Sequence, residues 1–211
     1  KPITINIRDF IQENFNSKEI VKNGHVYSFE YKELQIDLIL VKEKYWETTN
    51  IYFSYNDLHN LVGKIAHRFG LKWGMKGLVY DYKIGGKKLG TIEVTKDYRK
   101  ALNFLGFDVY MYDQGFDDLK DIFEFVTESK YFAPRIYDFE NLNKVNRDRD
   151  KKRNTYASFI EYIKPYKEQP LENFHYFYKD KNVYLGLIDY YFPGFLKQYR
   201  ELEKKEELNQ K

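Results

Sequence analysis

The stretch Val26 to Val41, VYSFEYKELQIDLILV, alternates in a way that an extended chain can use. Val26, Ser28 and Glu30 fall on one side, and Tyr27, Phe29 and Tyr31 on the other, the period-two signature of a strand. Lys32-Glu33 reads as a turn and Leu34 to Val41 as the returning strand. Its alternation sets Gln35, Asp37 and Ile39 on one face and Leu34, Ile36, Leu38 and Leu40 on the other. Asp37 therefore lies mid-strand among Ile and Leu, where a buried carboxylate costs free energy unless it is partnered.

Around this hairpin the chain reads as mixed. Residues 6–21 give one or two helical turns from the spacing of Ile7, Phe10, Ile11 and Phe15, and Lys22-Asn23-Gly24 reads as a turn. Tyr52-Phe53 closes what reads as an extended run. Residues 57–69 read as a helix, with Asp57 or Asn56 as N-cap and Gly70 just past its end. Residues 71–94 read as short strands joined by Gly-rich turns. Residues 95–107 predict a helix capped by Thr95 and stopped at Gly106. Residues 116–130 predict an amphipathic helix with Leu119, Ile122, Phe123 and Val126 inward, and a second helix follows Asn154. A Pro-punctuated aromatic stretch from Pro165 leads into a charged C-terminal helix.

Composition narrows the classes. The 211 residues suffice for one large domain or two small ones. No apolar run approaches the roughly 20 residues of a membrane span, and there is no signal-peptide pattern. With no cysteine there is neither a disulfide framework nor a thiolate metal site. The expected location is cytoplasmic, or a nucleoid or viral factory, and not secreted. A net charge of +3 says little about partners, but Lys144 to Arg153 holds six basic and two acidic residues. Lys144, Arg147, Arg149, Lys151, Lys152 and Arg153 are the candidate phosphate contacts, against the simpler reading of a solvated face. His59 and His67 read as structural, and Gly85-Gly86 as a hairpin turn.

Asp37 and residues 50–64 taken together resemble the C-terminal palm and fingers of X-family DNA polymerases, the polymerase-beta-like nucleotidyltransferases. The strand LQIDLILV is similar to the family strand that carries the last of three catalytic carboxylates. The connector KEKYWETTNI leads to YFSYND, with Asn60 three residues and Lys64 seven residues past Asp57. GTIEVTKDYRKALNFLGF is similar to the family's closing segment. The resemblance covers residues 25–107, and residues 121–163 look closer to phage and virus members.

That resemblance implies roles. Asp37 would be a catalytic carboxylate and a ligand for Mg²⁺ or Mn²⁺, one of two ions about 3.5–4 Å apart. Tyr52 and Phe53 would bound the sugar of a nucleoside triphosphate, Asp57 and Asn60 would face its base, and Lys64 would reach the template. A nascent base pair would then lie against that helix face. Two positions depart from the family pattern. Tyr55 stands where a Gly is usual, and Gln35 where Arg is common. The G-S motif and the D-x-D pair are missing, since residues 1–24 offer only Asp9, Glu13 and Glu19. The one D-x-D, Asp148-Arg149-Asp150, sits in the basic run and reads as local ion pairs. The chain starts at Lys1 without Met, so an N-terminal half is expected upstream or from another chain.

The expected fold is α+β. Residues 1–43 would be the remainder of a nucleotidyltransferase palm, 44–110 a fingers-like subdomain, and 111–211 a helical basic extension. The expected function is the C-terminal part of a DNA-polymerase-type nucleotidyltransferase acting on a template-primer. The alternatives are a non-catalytic DNA-binding module of that fold, or transfer to RNA or protein.

Overall fold

The fold is α+β, with two small antiparallel sheets and a majority of helix. The structure, a computed structural model, describes residues 5–167, 174–177 and 180–209. The chain divides into two compact units, Lys1–Trp46 and Glu47–Lys211.

In the first unit, α1 (Ile7–Phe15) is followed by β1 (Ile20–Asn23), β2 (Val26–Tyr31) and β3 (Leu34–Ile39), paired in that order. Asn6 caps α1 by accepting from the Arg8 and Asp9 amides. The turn into β2 falls at Gly24-His25, one residue later than the sequence signal. The alternation of β2 works as read. Tyr27 and Phe29 turn inward with Ile36 and Leu38 of β3 and close over the fully buried Ile11. Phe15 adds ring contacts to Phe29 and Tyr31 at 4.9 and 5.3 Å. The opposite face carries Ser28 across from Asp37 and Glu30 across from Gln35.

Lys32 and Glu33 form the hairpin turn with φ of 50° and 65°. Two successive left-handed residues are the two-residue turn that matches strand twist, usually built from Asn-Gly. Ordinary side chains lose roughly 1–2 kcal/mol each in that conformation. The double change Lys32→Asn with Glu33→Gly is therefore expected to stabilise the hairpin by about 1 kcal/mol, after loss of the Lys32 ammonium from the Tyr31 ring. Hydrogen exchange of the β2 and β3 amides reads this directly. No slowing would mean that the turn costs the native hairpin nothing.

The second unit contains α2 (from Trp46–Tyr52, whose first residue ends the first unit), α3 (Leu58–His67), the meander β4 (Leu71–Gly74), β5 (Gly77–Ile84) and β6 (Lys87–Thr95), and then helices. These are α4 (Tyr98–Phe104), α5 (Val109–Gln114), α6 (Leu119–Thr127), α7 (Lys144–Asp150), α8 (Asn154–Tyr162), α9 (Lys181–Tyr191) and α10 (Phe195–Asn209). Short 3-10 turns occupy Pro134–Tyr137, Phe139–Asn141 and Lys164–Tyr166. One core runs through it, from Leu61 and Ile65 of α3 and Phe69 just after it, past Leu78 and Ile92 of the sheet, to Phe159 and Ile188. That core crosses residue 110, so residues 47–110 and 111–209 are packed as one body.

Two of the buried tyrosines place their hydroxyls on backbone acceptors. Tyr137 donates to the Leu61 carbonyl at 3.2 Å, and Tyr156 donates to the Tyr137 carbonyl at 2.6 Å. Both rings are fully buried.

Several sequence expectations shift. Residues 46–52 are helical and not extended, because the Thr48 and Thr49 hydroxyls both donate to the Met75 carbonyl and tie this turn to the β4–β5 loop. Asp97, not Thr95, caps α4, while Thr95 Oγ1 accepts from the Asp97 amide. Leu119 is more than one-third exposed, and Phe125 takes its place inside with Ile122, Phe123 and Val126. Part of the stretch after Pro165 lies outside the described residues.

Candidate nucleic-acid interface

Helix α3 forms because Leu58, Leu61, Val62 and Ile65 recur at spacings of three and four and all become fully buried. Gly70 ends it with φ +67°. The turn before it keeps the backbone that glycine favours even though the residues are Tyr55 and Asn56, at φ 58° and 57°. Tyr55 is held there by edge contacts to Tyr112 and Phe116 at 5.6 and 4.9 Å. The departure from Gly at this position thus leaves a tight turn in place.

Asp57 occupies the N-cap position of α3 without capping it. Its carboxylate pairs with Arg153 instead. Next to it Thr155 Oγ1 donates to Asn56 Oδ1 at 3.2 Å. One turn along, Asn60 Nδ2 donates to Asp150 Oδ1 at 3.2 Å and Asn60 Oδ1 accepts from Arg149 at 2.7 Å. A further turn along, the Lys64 ammonium meets Asp150 Oδ2 at 2.6 Å, with both side chains out of solvent. Arg149 Nε donates to the other oxygen at 2.8 Å. Burial pushes the Asp150 carboxyl up, but hydrogen bonds from Arg149 and Lys64 outweigh it and hold the group below its ordinary value. Burial also lowers the Lys64 ammonium, against the pull of Asp150.

So Asp57, Asn60, Lys64, Arg149 and Arg153 do come together, but with each other. The polar face of α3 is covered by the chain's own residues 149–155. Lys64 in particular is buried and committed to Asp150, where the sequence had it reaching outward. The signal was legible in part. Lys64 shares a helix arc with Leu61 and Ile65, and a lysine there needs a buried carboxylate. Nothing local says that the carboxylate is Asp150, 86 residues on.

Behind this face His59 is almost fully buried between two rings. Trp73 Nε1 donates to His59 Nδ1 at 2.8 Å, so the imidazole proton sits on Nε2 and is given to the Tyr112 hydroxyl at 3.0 Å. Burial pushes this imidazole down to about 3.

Alongside the covered face a groove of about 660 Å³ remains open between α3, strands β4 and β5, and α7. Its rim carries Lys72, Lys83, Lys144 and Arg149, and among the described residues no carboxylate lines it. Lys72 is paired with Asp81 at 2.5 Å. Lys83 and Lys144 are exposed, with no ion-pair partner among the described residues. His67 lines the same groove and hydrogen-bonds the Tyr176 hydroxyl at 2.8 Å. Burial lowers its imidazole, and the positive field of Lys64, Lys72 and Lys83 lowers it further.

The other expected residues lie around this region. Tyr52 ends α2, half-buried on the groove wall, with its ring edge-on to Phe53 at 5.3 Å. Phe53 is half-exposed. On α7 and the link after it Arg147 is half-buried, while Lys151 and Lys152 are exposed, Lys151 lying over the Phe139 ring at 5.7 Å.

Asp37 belongs to the first unit. It is exposed, not buried, because α1 covers the opposite sheet face, and its carboxylate accepts from Gln35 at 3.1 Å. Among the described residues no three His, Cys, Asp or Glu side chains come together in a way that could hold a metal ion. These residues alone therefore do not fit a two-ion site. No helix among them is long and apolar enough to cross a membrane.

Comparison with described protein families, with curated proteins and with solved structures gives no match.

Proposed function

We propose that the chain is the substrate-gripping, C-terminal part of a polymerase-beta-like nucleotidyltransferase. The second unit would hold template-primer DNA and nucleoside triphosphate, and Asp37 would contribute one catalytic carboxylate to the complete protein. The observation that carries this reading is the groove beside α3, lined among the described residues by lysines, Arg149 and no carboxylate, and flanked by the exposed lysines of α7 and its C-terminal link. Lys83 and Lys144, exposed and without ion-pair partners among the described residues, favour phosphates, and Lys151 and Lys152 extend that field outside the groove. The reaction would be in-line attack of a 3′-hydroxyl on the α-phosphorus, with pyrophosphate leaving. The protein's share of such a reaction is mainly positioning and charge stabilisation.

A second reading, a DNA-binding module without chemistry, is favoured by one observation. Among the described residues Asp37 belongs to no group of three His, Cys, Asp or Glu side chains that could hold a metal ion.

Gapped DNA tests both. Charge reversal of Lys144 and Lys152 is expected to weaken binding about tenfold and to lower the salt slope by about 0.9 per phosphate lost. Both side chains are exposed and neither has an ion-pair partner among the described residues, so the fold is expected to tolerate the change. An unchanged slope rejects the nucleic-acid surface. Nucleotide incorporation by the longest parent protein that falls away in Asp37→Ala, with DNA affinity intact, supports the enzyme. DNA binding with no incorporation supports the module.

A further inference from the structure

The groove has a bare floor, and packing does not explain it. Gly63 lies in the middle of α3, where glycine costs about 1 kcal/mol relative to alanine. A Cβ built there meets only the Trp73 carbonyl, at 3.9 Å, an ordinary contact. Its φ lies outside the left-handed region that would demand glycine. Alanine would fit and would strengthen the helix. What glycine does leave is an uncovered strip of helix backbone at the bottom of the groove.

Around that strip the lining is mixed in a particular way. Tyr52, Trp73 and Tyr176 bring ring surface, while Asn143 and Asn146 bring side-chain amides; the Asn60 amide is already held by Asp150 and Arg149. Lys83 and Lys144 bring charge without partners among the described residues. Next to it, the α3 face from Asp57 to Lys64 is sealed by Arg149, Asp150 and Arg153. A ligand approaching α3 is thus diverted from that face into the groove.

We infer that this groove takes unpaired nucleotides, with a base over the Gly63 floor and phosphate toward Lys83 and Lys144, and does not take the outside of a duplex. This use rests on the reading of the same face as a nucleic-acid surface. A duplex turns its phosphates outward and hides its base faces, so rings and amides inside a concave site have nothing to meet. An unpaired nucleotide offers a flat face for stacking and free edges for amides, together with its phosphate. The volume lies in the range of small-ligand sites, enough for one or two nucleotides. The unpaired nucleotide could come from a single-stranded end or from a free nucleoside triphosphate.

The experiment is fluorescence anisotropy with a labelled oligothymidylate of about ten nucleotides and a blunt duplex of matched length. Wild type, Gly63→Ala and Gly63→Leu are compared, with thermal unfolding run in parallel. Gly63→Leu fills the floor and is expected to weaken single-strand binding about tenfold, the worth of about one stacked base, while duplex affinity holds within about twofold. Its melting temperature should not fall, because leucine is the better helix former. Lys83→Glu, an exposed change, is expected to weaken the single strand selectively in the same way should Gly63→Leu fold poorly. Single-strand affinity unmoved by both variants, with duplex still bound, overturns the groove assignment and leaves the proposed function standing. Loss of binding to both probes in the wild type overturns both. Displacement of the labelled strand by deoxythymidine triphosphate assigns the groove to the free nucleotide, and its failure to displace assigns it to the strand; either result supports the groove.

Discussion

Lys64→Met is expected to destabilise the second unit by about 3 kcal/mol or somewhat more, the cost of leaving a buried charge without its partner. Asp150 is fully out of solvent and Lys64 nearly so. The residual hydrogen bonds from Arg149 and Asn60 keep the loss at the lower end of the range for such pairs. In urea the midpoint should fall with an unchanged slope, since the surface exposed on unfolding is the same. The double change Lys64→Met with Asp150→Asn should recover a large part of the loss, because the uncompensated carboxylate has gone. If Lys64→Met lay within about 1 kcal/mol of wild type, the pair would behave as a solvated surface contact, and the closure of the α3 face would have to be abandoned.

Acid is expected to loosen the same unit through His59. Its imidazole is held down to about 3 in the fold, against an ordinary value of 6.5. Below pH 6.5 the unfolded chain therefore binds a proton that the folded chain refuses. The stability contributed by keeping His59 neutral is fully present above that pH and is lost as pH falls toward 3. The slope is about 1.4 kcal/mol per pH unit at most, or roughly 2 kcal/mol lost by pH 5. Carboxylates add their own losses nearer pH 4, and His67, whose imidazole is also lowered, contributes a slope of the same sign between 6.5 and 4.5, so His59 is read from the difference between wild type and a His59 variant in that window. His59→Gln can still accept from Trp73 and donate to Tyr112. It should be less stable than wild type at pH 7.5 by about 1–3 kcal/mol but should show a shallower slope, with His67 supplying what remains. Parallel stability curves for the two proteins across that window would show that His59 takes up its proton in the folded state.

How much of this was readable beforehand depends on whether the deciding partner was near in sequence. The β2–β3 hairpin was legible because its register is set by two residues of turn and by an alternation that puts Tyr27 and Phe29 on one face. Helix α3 was legible because its apolar period, its Gly70 stop and its neighbours agree. Residues 46–52 were not. Thr48-Thr49-Asn50-Ile51-Tyr52 has poor helix propensity, and the carbonyl of Met75, which holds the two threonines, is 26 and 27 residues away. The site divides in the same manner. The positions of Asp57, Asn60 and Lys64 along one helix face were plain from spacing, and so was the basic run after Lys144. That the two would close on each other could not be read, because a polar helix face meeting an external ligand and one meeting the chain's own Arg149, Asp150 and Arg153 carry the same residues. Gly63 went unremarked for a different reason. A single glycine inside a helix pattern is a mild cost, and its meaning appears only when the space above it is known.

The ion pair between α3 and α7 also sets an order in time. At synthesis rates of about 5–20 residues per second, the 86 residues between Lys64 and Asp150 take roughly 4–17 s to emerge. Throughout that interval α3 carries an ammonium group on the arc that must become interior, and its apolar neighbours cannot be buried without burying it. The sheet and α3 are thus kept from locking early. The polar face of α3 closes only when α7 arrives, and the core residues that follow it, Phe159 and Ile188 among them, come later still.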